Sequence, residues 1–550
     1  MPTRQAVWIT IRLYSALNEG ARMSINKLKK ENFLDQVSRY GFFAEQFPSC
    51  FSTEQFADNL LSLAPLVSSA RGEQRNTKKN TTSPATLSMY KNDISRRILS
   101  VPNPEAFLRL AKYIGEHWDE ILEHCKSKQS LSPIYFIKSY DGGAKELINC
   151  ESIREVLRAK SDYIVGIKQC IRTSLGCKYR MKVDIANCYN SIYTHSITWA
   201  ICEKGLAKSY FRSKEPADLK DTYEMADCLD TFTRFQKNNE TNGIIVGPFT
   251  SRIISEIILS RNDKMLSDRG FVFKRYVDDY KFYFRSEAQA HESLAIIEKV
   301  LNEFNLALNT SKTEIQKYPY ETISQIKETY DAALKKDGIF GVLNAASILH
   351  LAGEKGAYKY ALKYIRGVEL PRDGNLQIII PTLINIMLLD PKYGKYVTAY
   401  LKENLDNISA DALTNTFNKE LQSSLHGELQ QETLLFAQMI KDLELKMSAE
   451  NMLGILRSDN DFAIIIALDI WKNRNKSVMR TPTEAKSIKA AIRELATSLS
   501  GEKLSGARWL LLYEIVLHKL VPIENMPAIE FNAFFEKMSE LNISFYKGIC

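Results

Sequence analysis

The stretch FVFKRYVDDYKFYF, residues 271–284, decides how this chain is read. Two runs rich in aromatic and β-branched residues flank Asp278-Asp279, which predicts a β-hairpin with both carboxylates at its tip. Two adjacent carboxylates repel, and each raises the other's pKa unless a cation neutralises them. A divalent metal is the usual remedy, and Mg²⁺ prefers hard oxygen donors of this kind. An exposed Asp-Asp turn would carry the same letters, so the hairpin alone does not define a site.

A further acid lies upstream in KYRMKVDIANCYNSIYTHSI, residues 178–197. Met181-Lys182-Val183-Asp184-Ile185 reads as a strand ending near Asp184, followed by a turn and a helix from about Asn187. Asp184 alone would also serve as a helix N-cap. An acid at a strand end can instead sit beside a hairpin-tip acid. The set can then share two cations about 4 Å apart, which activate an attacking hydroxyl and stabilise a leaving pyrophosphate. Between the two acid motifs runs ETNGIIVGPFTSRIISEIILSRND, residues 240–263. Gly243, Gly247 and Pro248 permit close backbone approach, and Thr250 or Ser251 is placed to cap a helix bearing Ile253, Ile254, Ile257 and Ile258. A glycine turn running into a helix start suits contact with a nucleotide.

Outward from this centre, the 550 residues exceed what one compact core normally holds, so two or three domains are expected. A hydrophobic share of 45% with 25% charged residues is that of an ordinary soluble globular protein. The formal net charge of +8 is compatible with nucleic acid without demanding it. The nine cysteines are scattered and form no C-x-x-C pair, which predicts reduced thiols in a cytoplasmic protein. No run approaches the roughly 18 apolar residues that a membrane span needs, and the N-terminus lacks a signal-peptide cleavage pattern.

Residues 1 to about 65 read as helical, and RGEQRNTKKNTTSP (71–84) as a mobile polar loop. From about 90 to 320, short β-rich runs alternate with helices. Beyond about 325 strand signals vanish and amphipathic helices follow one another. Trp509, Leu512, Tyr513, Val516, Leu517 and Leu520 define one helix face, and Leu376, Ile379, Ile380, Leu383, Ile384 and Met387 another, kinked at Pro381. A stacked helix-pair array and an irregular bundle both remain open for this half.

The order D-x-x-x-x-Y-x-S-I, G-x-x-x-G-P-x-T-S, Y-V-D-D resembles motifs A, B and C of reverse transcriptases. Leu308-Asn309-Thr310-Ser311-Lys312 is similar to motif D, and Arg97-Ile98-Leu99-Ser100-Val101-Pro102 to the arginine-to-proline segment of the fingers. The resemblance covers about residues 85–320. It implies an α+β fold: reverse-transcriptase fingers and palm with a helical N-terminal segment over 1–320, then an all-α, HEAT-like domain over 321–550. It assigns Asp184, Asp278 and Asp279 as catalytic, with the Ile185 backbone completing a site for Mg²⁺ or Mn²⁺. Tyr189 falls at the steric-gate position that excludes a 2′-hydroxyl and so selects dNTPs. Arg97, Lys91, Gly247 and Lys312 would contact the incoming nucleotide, with Arg96 a further phosphate candidate. Val246 stands where many reverse transcriptases have Gln, and Ile245 where bacterial members often have Pro, which puts ordinary templated geometry in question.

No RNase H or endonuclease signature follows. The stretch YNSIYTHSITWAICEKGLAK (189–208), GPFTSRIISEIIL (247–259) and the long helical C-terminus together resemble the bacterial abortive-infection reverse transcriptases, AbiK-like and of the prophage-encoded type. That resemblance implies phage defence, template-independent DNA synthesis primed by a hydroxyl of the protein itself, and a single-stranded DNA product that stays covalently attached. It also implies a homo-oligomer, a trimer in preference to a hexamer. Tyr14 and Tyr40 are the priming candidates. Two alternatives stay open: a template-dependent reverse transcriptase using a cognate RNA, and a non-catalytic interaction protein on a polymerase scaffold.

Overall fold

The computed structural model describes residues 25–27, 30–132, 135–137, 166–320, 326–366, 368, 376–526 and 529–548, apart from short gaps at 45, 71, 74–76, 93 and 355. Near the N-terminus the expectation of helix throughout needs correction: Ile25–Lys27 is a strand (β1). Helix α1, Phe33–Tyr40, follows and buries Phe33 and Val37. The segment 71–84 is not a free loop in its described part. Thr77–Asn80 is helical, the Asn80 amide donates to Glu73, and the Thr82 hydroxyl donates to the Phe235 carbonyl at 3.0 Å. These local polar bonds give a polar stretch an ordered course that its composition did not signal.

Strands β2 (Ala85–Asn92) and β3 (Ser95–Val101) form an antiparallel hairpin, whose turn is set by Asn92 Oδ1 accepting from the Ile94 and Ser95 N–H groups. Strand β4, Tyr135–Ile137, pairs with β1, which supplies the hydrogen-bonding edge that makes the latter a strand. Strand β5, Tyr179–Asp184, is followed by the short helix α2, Cys188–Ser191. After three intervening α-helices between residues 196 and 235, helix α3, Phe249–Asp268, is buried on nearly every side, as its run of isoleucines demands. Its N-cap position is Pro248 rather than Thr250 or Ser251, both of which are buried within the first turn.

Strands β6 (Phe273–Tyr276) and β7 (Asp279–Phe284) form the predicted hairpin, and β8 is Glu314–Lys317. The palm sheet is antiparallel, ordered β6-β7-β5-β8. Tyr280, Phe282 and Phe284 share one face of β7, as period-2 alternation requires, and stack in sequence with ring centroids 5.6 and 6.5 Å apart. That aromatic face holds the sheet against the helical layer.

Helices dominate the remainder. Helix α4 (Ala410–His426) packs on α5 (Gln430–Asp442), and α6 (Ala449–Leu456) on α7 (Asp461–Asn473), while α4, α6 and α8 (Pro482–Ser498) contact in series. Helices α5, α7 and α9 (Trp509–His518) form a second series. Successive helices therefore alternate between two layers. The inner layer faces the N-terminal segment and strand β3: Phe462 of α7 meets Phe47 and Phe51 at 5.0 and 5.4 Å between centroids, and Trp509 Nε1 donates to the Val101 carbonyl.

This sandwiching corrects the one-face reading of residues 509–520. Every residue from Trp509 to Ile515 is buried, because both sides of α9 are covered. The expectation that strands vanish needs a smaller correction, since Met447–Ser448 and Val478–Met479 form a short parallel pair. Leu376–Leu389 is helical with Pro381 inside, as the spacing predicts. One continuous apolar core runs from Phe33 to Tyr546, and near the C-terminus the chain returns to residues 50–52, where Ser52 N–H donates to the Phe545 carbonyl at 2.8 Å. The change in composition near residue 320 is thus not a break in the core.

Candidate active site

The four-stranded sheet brings the three predicted acids to one end. Asp184 closes β5 directly opposite Asp279, the first residue of β7, and Asp278 occupies the turn between β6 and β7. Burial pushes the Asp278 carboxyl above its ordinary range, and Asp184 pushes it further, while Arg97 and Lys312 pull it back. Asp279 is raised to about 6 by burial, then by Asp278 and Asp184. Asp278 raised by Asp184, and Asp279 raised by both, mark a place suited to positive charge.

Cations already lean on this cluster. Lys312 Nζ donates to Asp184 Oδ2 at 3.0 Å, and the Asn309 amide donates to the same oxygen at 2.8 Å. The Asn309 N–H also donates to the Asp184 carbonyl, which fixes the end of β5 against the segment before β8. Ile185 is buried and bridges Leu308, with the bonds carried by Asp184 and Ala186. In such a non-bonded pair its own carbonyl points to the opposite edge, the side of the hairpin.

The donor set suits a hard divalent cation: carboxylate oxygens, partly desolvated, with raised proton affinity. Among the described residues no three His, Cys, Asp or Glu side chains converge closely enough to ligate one ion as they stand. Asp184 Oδ2 is taken up by Lys312 and Asn309, while the same carboxyl lies within hydrogen-bonding reach of Asp279. The residues fit the ion in chemistry, and Asp184, Asp278 and Asp279 are the groups that would hold it.

Without a divalent ion, stability is expected to fall as pH rises from about 4 to about 6. The folded Asp279 keeps its proton up to about 6, whereas the unfolded chain releases it near 4, so the folded state binds more protons across that window. The Asp279 carboxyl is desolvated on its sheet side, but the residue reaches solvent at the tip, and screening reduces the effect to roughly 1 kcal/mol. Mg²⁺ should therefore raise Tm at pH 7 and do so much less at pH 4.5, which melting curves at the two pH values would check. An Mg²⁺ effect equal at both would contradict the assignment.

Tyr189 lies on α2, half-buried, with its hydroxyl accepting from Ser255 Oγ at 3.4 Å. Burial raises its pKa to about 12, and Asp278 contributes, so the phenol and the acid are neighbours. The glycine turn is tied to the same helix: Gly243 N–H donates to the Ile192 carbonyl and Ile244 N–H to the Tyr189 carbonyl, both at 2.8 Å. Gly247 adopts φ +143, and a Cβ there would lie 2.9 Å from the Ser100 carbonyl oxygen. Ser100 N–H in turn donates to the Val246 carbonyl, so the turn is stitched to fingers strand β3. Gly247→Ala is expected to destabilise the fold by about 1–3 kcal/mol and to raise KM for the nucleotide, measured by thermal unfolding and steady-state kinetics.

The other candidates divide. Arg97 is exposed on β3 and its charge reaches Asp278. Lys91 is exposed near the β2 turn, and nothing in the structure ties it to the acids. Arg96 is committed elsewhere: its guanidinium pairs with Glu432 of α5 at 2.6 and 3.0 Å, which corrects its reading as a phosphate contact. Tyr40 ends α1 half-buried against the core, and Tyr14 lies outside the described residues. Sequence reasoning missed Ser255, Arg275, Glu256 and Asp263. The signal was present as acids and a serine inside the apolar run of α3, and an arginine immediately before the Tyr-Val-Asp-Asp turn.

A sheet end with clustered acids, a glycine turn against a helix and a basic strand lie together here. Residues 143–326 match the family model described as reverse transcriptase (RNA-dependent DNA polymerase), so the chain carries a reverse-transcriptase domain. Among curated proteins none matches. Similar solved structures include apo telomerase from Candida tropicalis truncated from its C-terminal domain, at 15% identity and TM-score 0.27, with 44% of this chain and 51% of that one covered. Telomerase from Candida albicans, solved with a fragment of telomeric RNA, is 13% identical with TM-score 0.26, covering 67% of this chain and 63% of that one. The chain thus spans less than two-thirds of either, and similarity this distant assigns no function. Among the described residues no helix is long and apolar enough to cross a membrane.

Proposed function

We propose that this protein is a protein-primed, template-independent DNA polymerase of reverse-transcriptase type, acting in abortive-infection defence against phage as an AbiK-like, prophage-encoded enzyme. The observation that carries the polymerase reading is the meeting of Asp184, Asp278 and Asp279 at one sheet end, within reach of the charges of Arg97 and Lys312. Asp184 and Asp278 would each hold a divalent ion, with Asp279 and the Ile185 carbonyl in support. When bound, Mg²⁺ or Mn²⁺ lowers the proton affinity of the attacking hydroxyl and offsets charge on the departing pyrophosphate. Around it, the Tyr189 ring closes off the space of a 2′-hydroxyl. Gly247 lets backbone approach the nucleotide, Arg97 and Lys91 meet the triphosphate, and Lys312, exposed and flexible, meets the leaving group.

Support for the AbiK-like plan comes from the helical half. The two-layer alternation of α4–α9 suits a HEAT-like array, and α5 grips the fingers hairpin directly. Gln430 Oε1 accepts the Ser88 N–H at 2.7 Å and Gln431 Oε1 the Tyr90 N–H at 2.8 Å, alongside the Arg96–Glu432 pair. A free strand edge that would otherwise be open to a partner is thereby covered by the protein itself. A tyrosine hydroxyl, Tyr14 or Tyr40, would serve as primer by attacking an α-phosphate as a 3′-hydroxyl does. The DNA product would stay attached, and the working form is a cytoplasmic homo-oligomer, a trimer in preference to a hexamer.

Incubating purified protein with Mg²⁺ and labelled dNTPs, without template or primer, tests this. Label is expected to migrate with the protein on a denaturing gel and to vanish in Asp278→Ala. Wild-type protein that takes up no label would sink the reading. The match of residues 143–326 to an RNA-dependent family favours one second reading, templated synthesis on a cognate RNA. A co-purifying structured RNA with strict dependence on it would establish that instead. Phage protection retained by both Asp184→Ala and Asp278→Ala would point to a non-catalytic scaffold.

A further inference from the structure

Arg275 belongs to strand β6, three residues before Asp278, yet its side chain is wholly buried. Its guanidinium is held by two acids of α3. Nε and Nη2 donate to Asp263 at 2.9 and 2.7 Å, and Nη1 and Nη2 donate to Glu256 at 3.0 and 2.8 Å. Both acids are themselves buried. Nη1 makes one more bond, donating to the Val277 carbonyl at 2.9 Å.

Val277 is the residue that needs holding. It adopts φ +56, the left-handed region that a β-branched side chain ordinarily avoids. Its N–H donates to Ser132 Oγ at 2.5 Å, so both backbone polar groups of this one residue, and with them the peptide units on either side, are anchored. Arg275's own backbone is clamped to the same segment, donating to the Gln129 carbonyl at 2.9 Å and accepting from Leu131 N–H at 2.7 Å. Val277 immediately precedes Asp278, so its backbone angles set the direction in which the acid leaves the turn.

A buried ion cluster is weak evidence for stability, because well-packed apolar residues of similar volume often serve as well. An apolar residue supplies no donor to the Val277 carbonyl. We propose that Arg275 is a positioning residue: it keeps Val277 left-handed and so aims Asp278, while Glu256 and Asp263 register the guanidinium against the helix that follows the Gly247 turn. The hairpin with the acids and the helix behind the nucleotide turn are thereby set relative to one another by a single side chain. This rests on the polymerase reading for its rate consequence alone.

The test uses full-length Arg275→Lys, which keeps the charge but replaces the planar fork with a single ammonium nitrogen that cannot span Glu256, Asp263 and the Val277 carbonyl in the same geometry. Mn²⁺ binding is read by electron paramagnetic resonance of the free ion, alongside dNTP incorporation. Arg275→Lys is expected to lose about 10- to 100-fold in Mn²⁺ affinity and kcat, with KM for dNTP unchanged. Adding Val277→Gly should restore most of the loss, because glycine adopts positive φ at no steric cost. A role in stability alone predicts lower Tm with no recovery from the glycine. Folded Arg275→Lys that binds Mn²⁺ like wild type, or no recovery on adding Val277→Gly, overturns the proposal. Should Arg275→Lys fail to fold, Ser132→Ala takes its place, removing the other anchor of Val277 and leaving the buried cluster intact; unchanged Mn²⁺ binding there also overturns it. Wild-type protein that binds Mn²⁺ but incorporates no nucleotide would refute the polymerase reading while the binding comparison still decides the role of Arg275.

Discussion

Asp278→Asn is expected to cut nucleotide incorporation by about 10³-fold, equivalent to about 4 kcal/mol of transition-state stabilisation, without unfolding the protein. The carboxylate stands at the hairpin turn, where burial and Asp184 already raise its proton affinity. An amide of the same shape removes the negative charge that a divalent ion requires and leaves packing intact. Losing that charge also relieves repulsion with Asp184 and Asp279. Metal-free Asp278→Asn should therefore melt at or above the wild-type temperature, and its Mg²⁺-dependent rise in Tm should shrink. Single-turnover incorporation and thermal melts with and without Mg²⁺ check both halves. A variant that is inactive because it is unfolded would miss the second, and a variant that stays active would remove Asp278 from the metal site.

The second large effect concerns sugar choice. Tyr189→Ala is expected to raise incorporation of ATP relative to dATP by about 10²-fold, while Tyr189→Phe keeps the wild-type preference. The ring is half-buried beside Asp278 and rests against the helix that carries Ser255. Its bulk, rather than its hydroxyl, fills the space a 2′-hydroxyl would need, so deleting the ring opens that space and deleting the hydroxyl does not. The ratio of kcat/KM for dATP and ATP measures the effect. Equal discrimination by wild type and Tyr189→Ala would return Tyr189 to a packing role.

Much of this site is legible in residue order because its parts are local. Asp278-Asp279 between two aromatic-rich runs specifies a hairpin by itself, and the predicted strand from Met181 ends at Asp184 as its alternation indicates. Gly247 is likewise readable, since a positive φ at a crowded approach leaves few residue types that fit. What stayed hidden are bonds between residues far apart in the chain. Arg96 and Arg97 are adjacent letters, yet alternation along β3 sends one to Glu432 and leaves the other exposed with its charge reaching Asp278. Segment 71–84 reads as mobile because nothing in its letters reveals Phe235 as a partner.

The sequence by itself therefore determined the local chemistry: which residues could carry metal, nucleotide and steric discrimination, and that a helical half follows an α+β half. Periodicity and turn preference act over a few residues and need no partner. Only the tertiary structure decided which helices are covered on both sides, why Trp509–Ile515 are all inside, and how α5 clasps the fingers. It alone placed Arg275 beneath the turn that carries Asp278. Those outcomes depend on desolvation and charge pairing between segments as distant as residues 96 and 432, which no local pattern encodes.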